Sequence, residues 1–180
     1  MLSDKEKKDK VEEWYSQHSD DIFKYIGLML NDYHKAEDLT QETFVKSFIY
    51  FEQFQYNSSV KTWLFMIARN TTIDYLRKNK KYKIIAALLS KNLESDVINT
   101  AEEIIELKED VSYLYTSIKN LKPAYREVII LRKIKGFSTK ETSEILGWTE
   151  SKVKSTLFRS IKKLEQELNK GGYVYEQKFS

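Results

Sequence analysis

Two stretches of this 180-residue chain carry side chains suited to holding a nucleic acid. In residues 150–169, read at about 100° per residue, Val153, Leu157, Ile161, Leu164 and Leu168 fall within about 80° of arc. Ser151, Lys152, Ser155, Arg159 and Lys162 lie on the opposite side, with Lys154 at its edge. Lysine neutralises phosphate, and Arg159, the one arginine of the stretch, can donate a bidentate pair of hydrogen bonds to guanine. The second stretch is residues 60–81. There Val60, Leu64, Ile67, Thr71 and Tyr75 share an arc of about 60°, and Arg69, Asn70, Arg77, Lys80 and Lys81 a separate arc of about 120°. Tyr56 and Trp63 stand beside it. A basic helix next to aromatic rings suits unpaired DNA, whose bases stack while cations hold the backbone. Trp63 fits either that role or the core; Tyr75 fits the core.

A third constellation is acidic. Asp38, Gln41 and Glu42, at i, i+3 and i+4, share one helix face that Lys46 continues. Such a face serves a protein partner with a basic surface, or is simply solvated.

Enzyme chemistry has little to work with. There is no cysteine, and His18 and His34 stand apart without metal-ligand spacing. No glycine-rich phosphate loop or acid–base pair stands out among the 27 carboxylates. No catalytic residue, metal or cofactor is expected.

The elements that must position these residues are helices. One proline, five glycines and 32% charged residues describe an all-α chain with few tight turns. Ile22, Ile26, Met29 and Tyr33 are spaced for one helix face, and a second helix spans about 35–54 with Leu39, Phe44, Val45, Phe48 and Phe51 as its apolar side. The turn-forming run Gln55-Tyr56-Asn57-Ser58-Ser59 precedes a third helix, from Val60 to about Lys81. Residues 83–112 read as a linker, partly helical over Ala101–Asp110. Pro123 opens a helix ending near Gly136. Ser138 with Glu141 forms a capping-box pattern, Gly147 suits a left-handed C-cap, and Thr149 caps the last helix. The organisation is thus an N-terminal helical domain (1–82), the linker, a helix-turn-helix domain (113–170) and a tail (171–180) without a fold signal.

Charge follows the same division. Residues 1–60 carry net −5. Residues 61–91 carry net +7, with Asp74 alone opposing Lys61, Arg69, Arg77, Lys78, Lys80, Lys81, Lys83 and Lys91. Residues 92–112 carry −6 and residues 113–168 +6. Two basic blocks around an acidic spacer fit two contacts with one polyanion. No apolar run approaches the roughly 20 residues of a membrane span, and the N-terminus lacks a signal-peptide pattern, so the chain is expected to stay in the cytoplasm.

The residues also carry a resemblance. Lys35-Ala36-Glu37-Asp38-Leu39-Thr40-Gln41-Glu42-Thr43-Phe44 resembles a signature of the extracytoplasmic-function sigma factors, as does Lys61-Thr62-Trp63-Leu64-Phe65-Met66-Ile67-Ala68-Arg69-Asn70 followed by Asp74-Tyr75-Leu76-Arg77-Lys78. The C-terminal half is similar through Leu121–Val128, Glu144–Gly147, Val153-Lys154-Ser155 and Phe158-Arg159. The resemblance implies a promoter-specificity subunit of bacterial RNA polymerase, monomeric when free. Its partners would be the β and β′ subunits of core polymerase, promoter DNA and an anti-sigma factor that holds it inactive, in some relatives at the membrane, until envelope stress. Asp38, Gln41 and Glu42 would bind the β′ coiled coil. Tyr56, Asn57, Lys61, Trp63, Arg69, Asn70, Arg77, Lys78 and Lys81 would act at the −10 element, and Ser151, Lys152, Lys154, Ser155, Arg159 and Lys162 at the −35 element. The chain departs from the pattern at Glu150, at Thr156 where arginine is common, and in a loop 55–59 without glycine. The competing readings are a self-sufficient, dimeric helix-turn-helix regulator and an interaction protein that titrates polymerase. The second would need no basic DNA faces.

Overall fold

The structure, a computed structural model, describes residues 2–89 and 109–170. The chain falls into two compact units, residues 1–103 and 104–180, and the described residues are helical with no strand.

In the first unit α1 (Asp4–Leu30), α2 (Tyr33–Ile49) and α3 (Val60–Leu89) pack against one another, with a short 3-10 turn at Phe51–Gln53. Ser3 and Glu6 form a capping box at the start of α1. At its end Asn31 turns left-handed at φ 54° and donates its N–H to Gly27 O. Asp32 follows at once as the N-cap of α2, its Oδ1 accepting from Lys35 N at 2.9 Å. The reversal moves Tyr33 out of the apolar stripe expected for the first helix and lays its ring on α1. A Cβ at Gly27 would come within 2.6 Å of Tyr33 Cε1, so only glycine permits this approach. Ser59 Oγ caps α3 by accepting from Thr62 N at 3.0 Å.

The core of this unit holds Ile22, Tyr25, Ile26 and Met29 of α1, Ala36, Leu39 and Phe44 of α2, and Leu64, Phe65, Ile67 and Ala68 of α3. The buried hydroxyls of Thr40, Thr43 and Thr72 each donate to a carbonyl one turn back, at 2.7–2.8 Å, so none is stranded. Other expectations fail here too: α2 ends at Ile49 rather than near Phe54, giving way to the 3-10 turn. Val45 and Phe48, assigned to the apolar side of α2, are 59% and 39% exposed, because no element covers that part of the helix among the described residues. The third helix continues past Lys81 to Leu89, carrying exposed Tyr82, Ile84, Ile85 and Leu88.

The second unit contains α4 (Glu109–Lys119), α5 (Pro123–Ile129), α6 (Thr139–Leu146) and α7 (Glu150–Lys170). Of the linker expected at 83–112, the described residues are helical, in α3 or α4; the rest, with most of Ala101–Asp110, lies outside the described residues, as does the tail. Pro123 occupies the first turn of α5. Arg126 Nη2 donates to Lys119 O at 2.5 Å and Leu121 O at 3.3 Å, satisfying carbonyls at the end of α4. After α5 the chain widens into a π-helical turn, Ile130–Ile134, in which Lys135 N donates to Ile130 O. Gly136, at φ 74°, ends it near the expected place. Val128, Ile129, Ile130, Leu131, Phe137, Ile145, Leu146 and Val153 form the core. Tyr113 Oη donates to the carbonyls of Glu167 and Leu168, tying α4 to the end of α7.

Candidate nucleic-acid and protein interfaces

The helix-turn-helix is built from local hydrogen bonds. Ser138 and Glu141 cap α6 reciprocally, Ser138 N donating to Glu141 Oε2 at 2.8 Å and Glu141 N to Ser138 Oγ at 3.1 Å. Gly147, left-handed at φ 65°, ends α6. Thr149 Oγ1 accepts from Lys152 N at 3.2 Å and starts α7. All three caps stand where sequence placed them.

On α7 the buried stripe is turned relative to expectation. Val153 and Leu168 are buried, but so are Thr156 and Ser160, while Leu157, Ile161 and Leu164 are only half-buried. Small side chains at 156 and 160 let α7 settle closely on its neighbours. An arginine at 156, common in the resembling family, would have to be accommodated in that contact. The opposite face is as expected: Ser151, Lys152, Lys154, Ser155, Arg159 and Lys162 are all exposed. Arg159 lies along the helix, Nε donating to Ser155 O at 3.1 Å and Nη2 to Ser155 Oγ at 3.3 Å, which orients its remaining N–H groups. Two lysines of this face rest on rings: Lys152 Nζ is 4.1 Å from the Trp148 centroid and Lys162 Nζ 4.6 Å from that of Phe158. Phe158, 62% exposed, is the apolar member of the face.

In the first unit the loop before α3 and the helix itself form the second face. Asn57 and Asn70 are exposed, as are Arg77, Lys78 and Lys81; Arg69 is half-buried. Tyr56 is 63% exposed and held left-handed at φ 56°, its ring 4.5 Å from that of Phe54. Trp63 is packed on one side and open on the other. It stacks on Phe54 at 4.8 Å and meets Trp14 edge-on at 5.9 Å, yet keeps part of its surface exposed. Lys61 is engaged, its Nζ 2.8 Å from Asp21 Oδ2 of α1. Beside this pair, burial and then the Lys61 ammonium push the His18 imidazole below its ordinary value of 6.5, with Asp21 opposing. Sequence reading missed Trp14 and Asp21 because both sit on α1, far along the chain from the loop they brace.

The acidic face of α2 is also in place. Asp38, Gln41 and Glu42 are exposed; Lys35 pairs with Asp38 at 3.2 Å and Lys46 with Glu42 at 2.8 Å. Lys46 Nζ also donates to Thr71 Oγ1 at 3.2 Å, fixing α2 to α3. Gln41 lines an open groove of about 350 Å³ with Val11, Tyr15, Phe44, Val45 and Phe48, so the polar triplet borders an apolar surface. That surface could have been read from Val45, Phe48 and Ile49 together, which give α2 more apolar residues than one buried face needs. No group of three or more acidic or histidine side chains placed to hold a metal ion occurs among the described residues, and no described helix is long and apolar enough to cross a membrane.

Comparison with known proteins matches residues 14–82 to the family description of sigma-70 region 2 and residues 112–164 to that of sigma-70 region 4. The ECF RNA polymerase sigma factor SigM of Bacillus subtilis is 35% identical over 161 residues, covering 89% of this chain and 96% of SigM. The RNA polymerase sigma factor YlaC of the same organism is 31% identical, covering 91% of this chain and 94% of YlaC. Among solved structures, the sigma factor RpoE, in complex with the anti-sigma factor NepR from Bartonella quintana, has a TM-score of 0.71 and 26% identity, covering 88% of this chain and 96% of its own. CnrH, solved with the cytosolic domain of CnrY, covers 89% of this chain and 88% of its own with a TM-score of 0.67 and 20% identity, a likeness of fold alone.

Proposed function

The chain belongs to the extracytoplasmic-function group of the sigma-70 family, and from that premise we propose that it binds core RNA polymerase and directs initiation at a particular set of promoters. The observation that carries this reading is the pairing of a helix-turn-helix, with an unobstructed cationic face on α7, and a second basic, aromatic-flanked helix in one chain. A duplex reader alone needs only the first.

The roles follow from chemistry. The exposed face of α7 enters the major groove of the −35 element, Lys152, Lys154 and Lys162 meeting phosphates while Ser151, Ser155 and Arg159 reach base edges. At the −10 element Tyr56, Asn57 and Trp63 receive an unstacked base, and Arg69, Asn70, Arg77, Lys78 and Lys81 hold the separated strand. Lys61 acts from its pair with Asp21, which fixes the start of α3 against α1. Asp38, Gln41 and Glu42 engage the β′ subunit, and the groove beside them adds apolar area to that contact.

Phosphodiester chemistry belongs to the polymerase; this chain supplies recognition and strand separation. It acts in the cytoplasm. RpoE was solved in complex with an anti-sigma factor, and an equivalent protein, anchored at the membrane, holds this chain inactive until envelope stress releases it.

Run-off transcription tests the reading, with purified bacterial core polymerase and a genomic promoter library, with and without this protein. Initiation at a defined promoter set only in its presence is expected. No stimulation, together with a stable dimer that binds duplex DNA unaided, would replace it with a conventional helix-turn-helix regulator.

A further inference from the structure

The junction between α6 and α7 fixes an indole at the edge of the DNA-facing surface. Gly147 N donates to Glu144 O at 3.3 Å, and Trp148 N donates to Ser143 O at 3.0 Å, closing the left-handed end of α6. The next residue, Thr149, already caps α7, its carbonyl accepting from Val153 N at 3.1 Å. The backbone of Trp148 is therefore set from both sides, with no free residue between the two caps. Lys152, in the first turn of α7, places its ammonium 4.1 Å from the centre of that indole. Other lysines of α7 are differently engaged: Lys163 and Lys170 both pair with Glu167, at 3.4 and 2.9 Å. Lys152 has no carboxylate partner among the described residues, and it is exposed.

We propose that Trp148 is a positioning residue for duplex DNA, its indole holding the Lys152 ammonium where a backbone phosphate meets the first turn of α7. The inference rests on the reading of α7 as the −35 helix. In helix-turn-helix proteins the N-terminal residues of the second helix lie closest to the groove, so a cation oriented there meets DNA early in docking. A free lysine loses much side-chain freedom when a phosphate captures it. Resting on a ring, Lys152 has surrendered part of that freedom beforehand, and binding loses less. An ammonium carries three N–H donors, so one side of it can face the ring quadrupole while donors remain for a phosphate, and both contacts can hold at once. Glu150, the acid of the same turn, does not oppose this contact. Glu150 lies about 160° around the helix from Lys152, on the side of Lys154, so the held cation and the acid face different directions.

The test uses the full chain assembled with core polymerase and a fluorescent promoter duplex, with affinity measured between about 50 and 300 mM salt. Lys152→Gln is expected to reduce the slope of log affinity against log salt by about one, the signature of one lost phosphate. Trp148→Leu is expected to weaken binding about two- to five-fold, and Trp148→Phe, which keeps a ring face, to recover most of the loss. In the Lys152→Gln background, Trp148→Leu should have no further effect. An equal loss from Trp148→Leu with and without Lys152, or a Trp148→Phe protein as weak as Trp148→Leu, would overturn the proposal. Should Trp148→Leu lower thermal stability, the Lys152→Gln slope and the Trp148→Phe comparison still decide. If the unsubstituted protein forms no promoter-specific complex with polymerase, the reading of the whole chain falls; if it does and the Lys152→Gln slope is unchanged, only the role given to Trp148 and Lys152 falls.

Discussion

On α7, Ser151, Lys152, Lys154, Ser155, Arg159 and Lys162 project from one helix whose N-terminal cap is local, whereas the face proposed for the −10 element gathers Tyr56 from a loop, Trp63 and Arg77 from α3, and its bracing from Trp14 and Asp21 of α1. The first face is a property of a helix and its two ends. The second exists only once three segments have packed. The cations differ in the same way: on α7 two of them rest over rings, while in the first unit Lys61 and Lys7 are committed to carboxylates on neighbouring elements. A face presented by one helix tolerates change in its surroundings; a face assembled from several segments transmits damage from any of them.

That contrast can be broken experimentally. Trp14 is buried, stacked on Phe51 at 5.2 Å and edge-on to Phe54 and Trp63. Trp14→Ala should destabilise the first unit by about 3–5 kcal/mol and abolish strand opening, measured by denaturant unfolding and permanganate reactivity of the promoter, while duplex −35 binding persists. Next in size, Arg159→Ala should weaken −35 recognition by about 1–3 kcal/mol and relax selectivity at one base position, scored by transcription across promoter variants, without altering the unfolding midpoint. Ser138→Ala removes one half of the capping box of α6 and should lower the stability of the second unit by about 1 kcal/mol, read by chemical denaturation. The smallest effect concerns acid. Because burial and Lys61 lower the His18 value in the folded unit, the unfolded chain takes up the proton first. Stability is therefore flat above about 6.5 and declines as pH falls below it, and His18→Gln should flatten that decline in unfolding curves at pH 7.5 and 5.5.

What sequence revealed divides along the same line. The α6 and α7 caps were readable because each lies within a few residues of its partner, as Ser138 does to Glu141 and Thr149 to Lys152. The exposed face of α7 followed from periodicity. Its buried face did not, because periodicity marks where apolar residues cluster and cannot tell that Thr156 and Ser160 turn inward while Ile161 turns partly out. Val45 and Phe48 misled for the same reason: an apolar stripe reports a need to be covered and leaves open whether the cover lies in this chain. The bracing of Trp63 by Trp14 and of Lys61 by Asp21 bridges segments about 40–50 residues apart, which no local pattern encodes. The π-helical turn at Ile130–Ile134 left no local signal either.

Tyr56 carries a last consequence. Its backbone occupies the left-handed region at φ 56°, where an L-residue with a side chain sits about 1–2 kcal/mol above a right-handed one and glycine does not. Glycine at this position would relax the folded loop but give the unfolded chain more conformations to lose, and the two effects oppose each other. The backbone alone thus exerts almost no selection between tyrosine and glycine here. What favours tyrosine is its ring, which packs 4.5 Å from Phe54 on one side and leaves the other side to whatever the loop must touch.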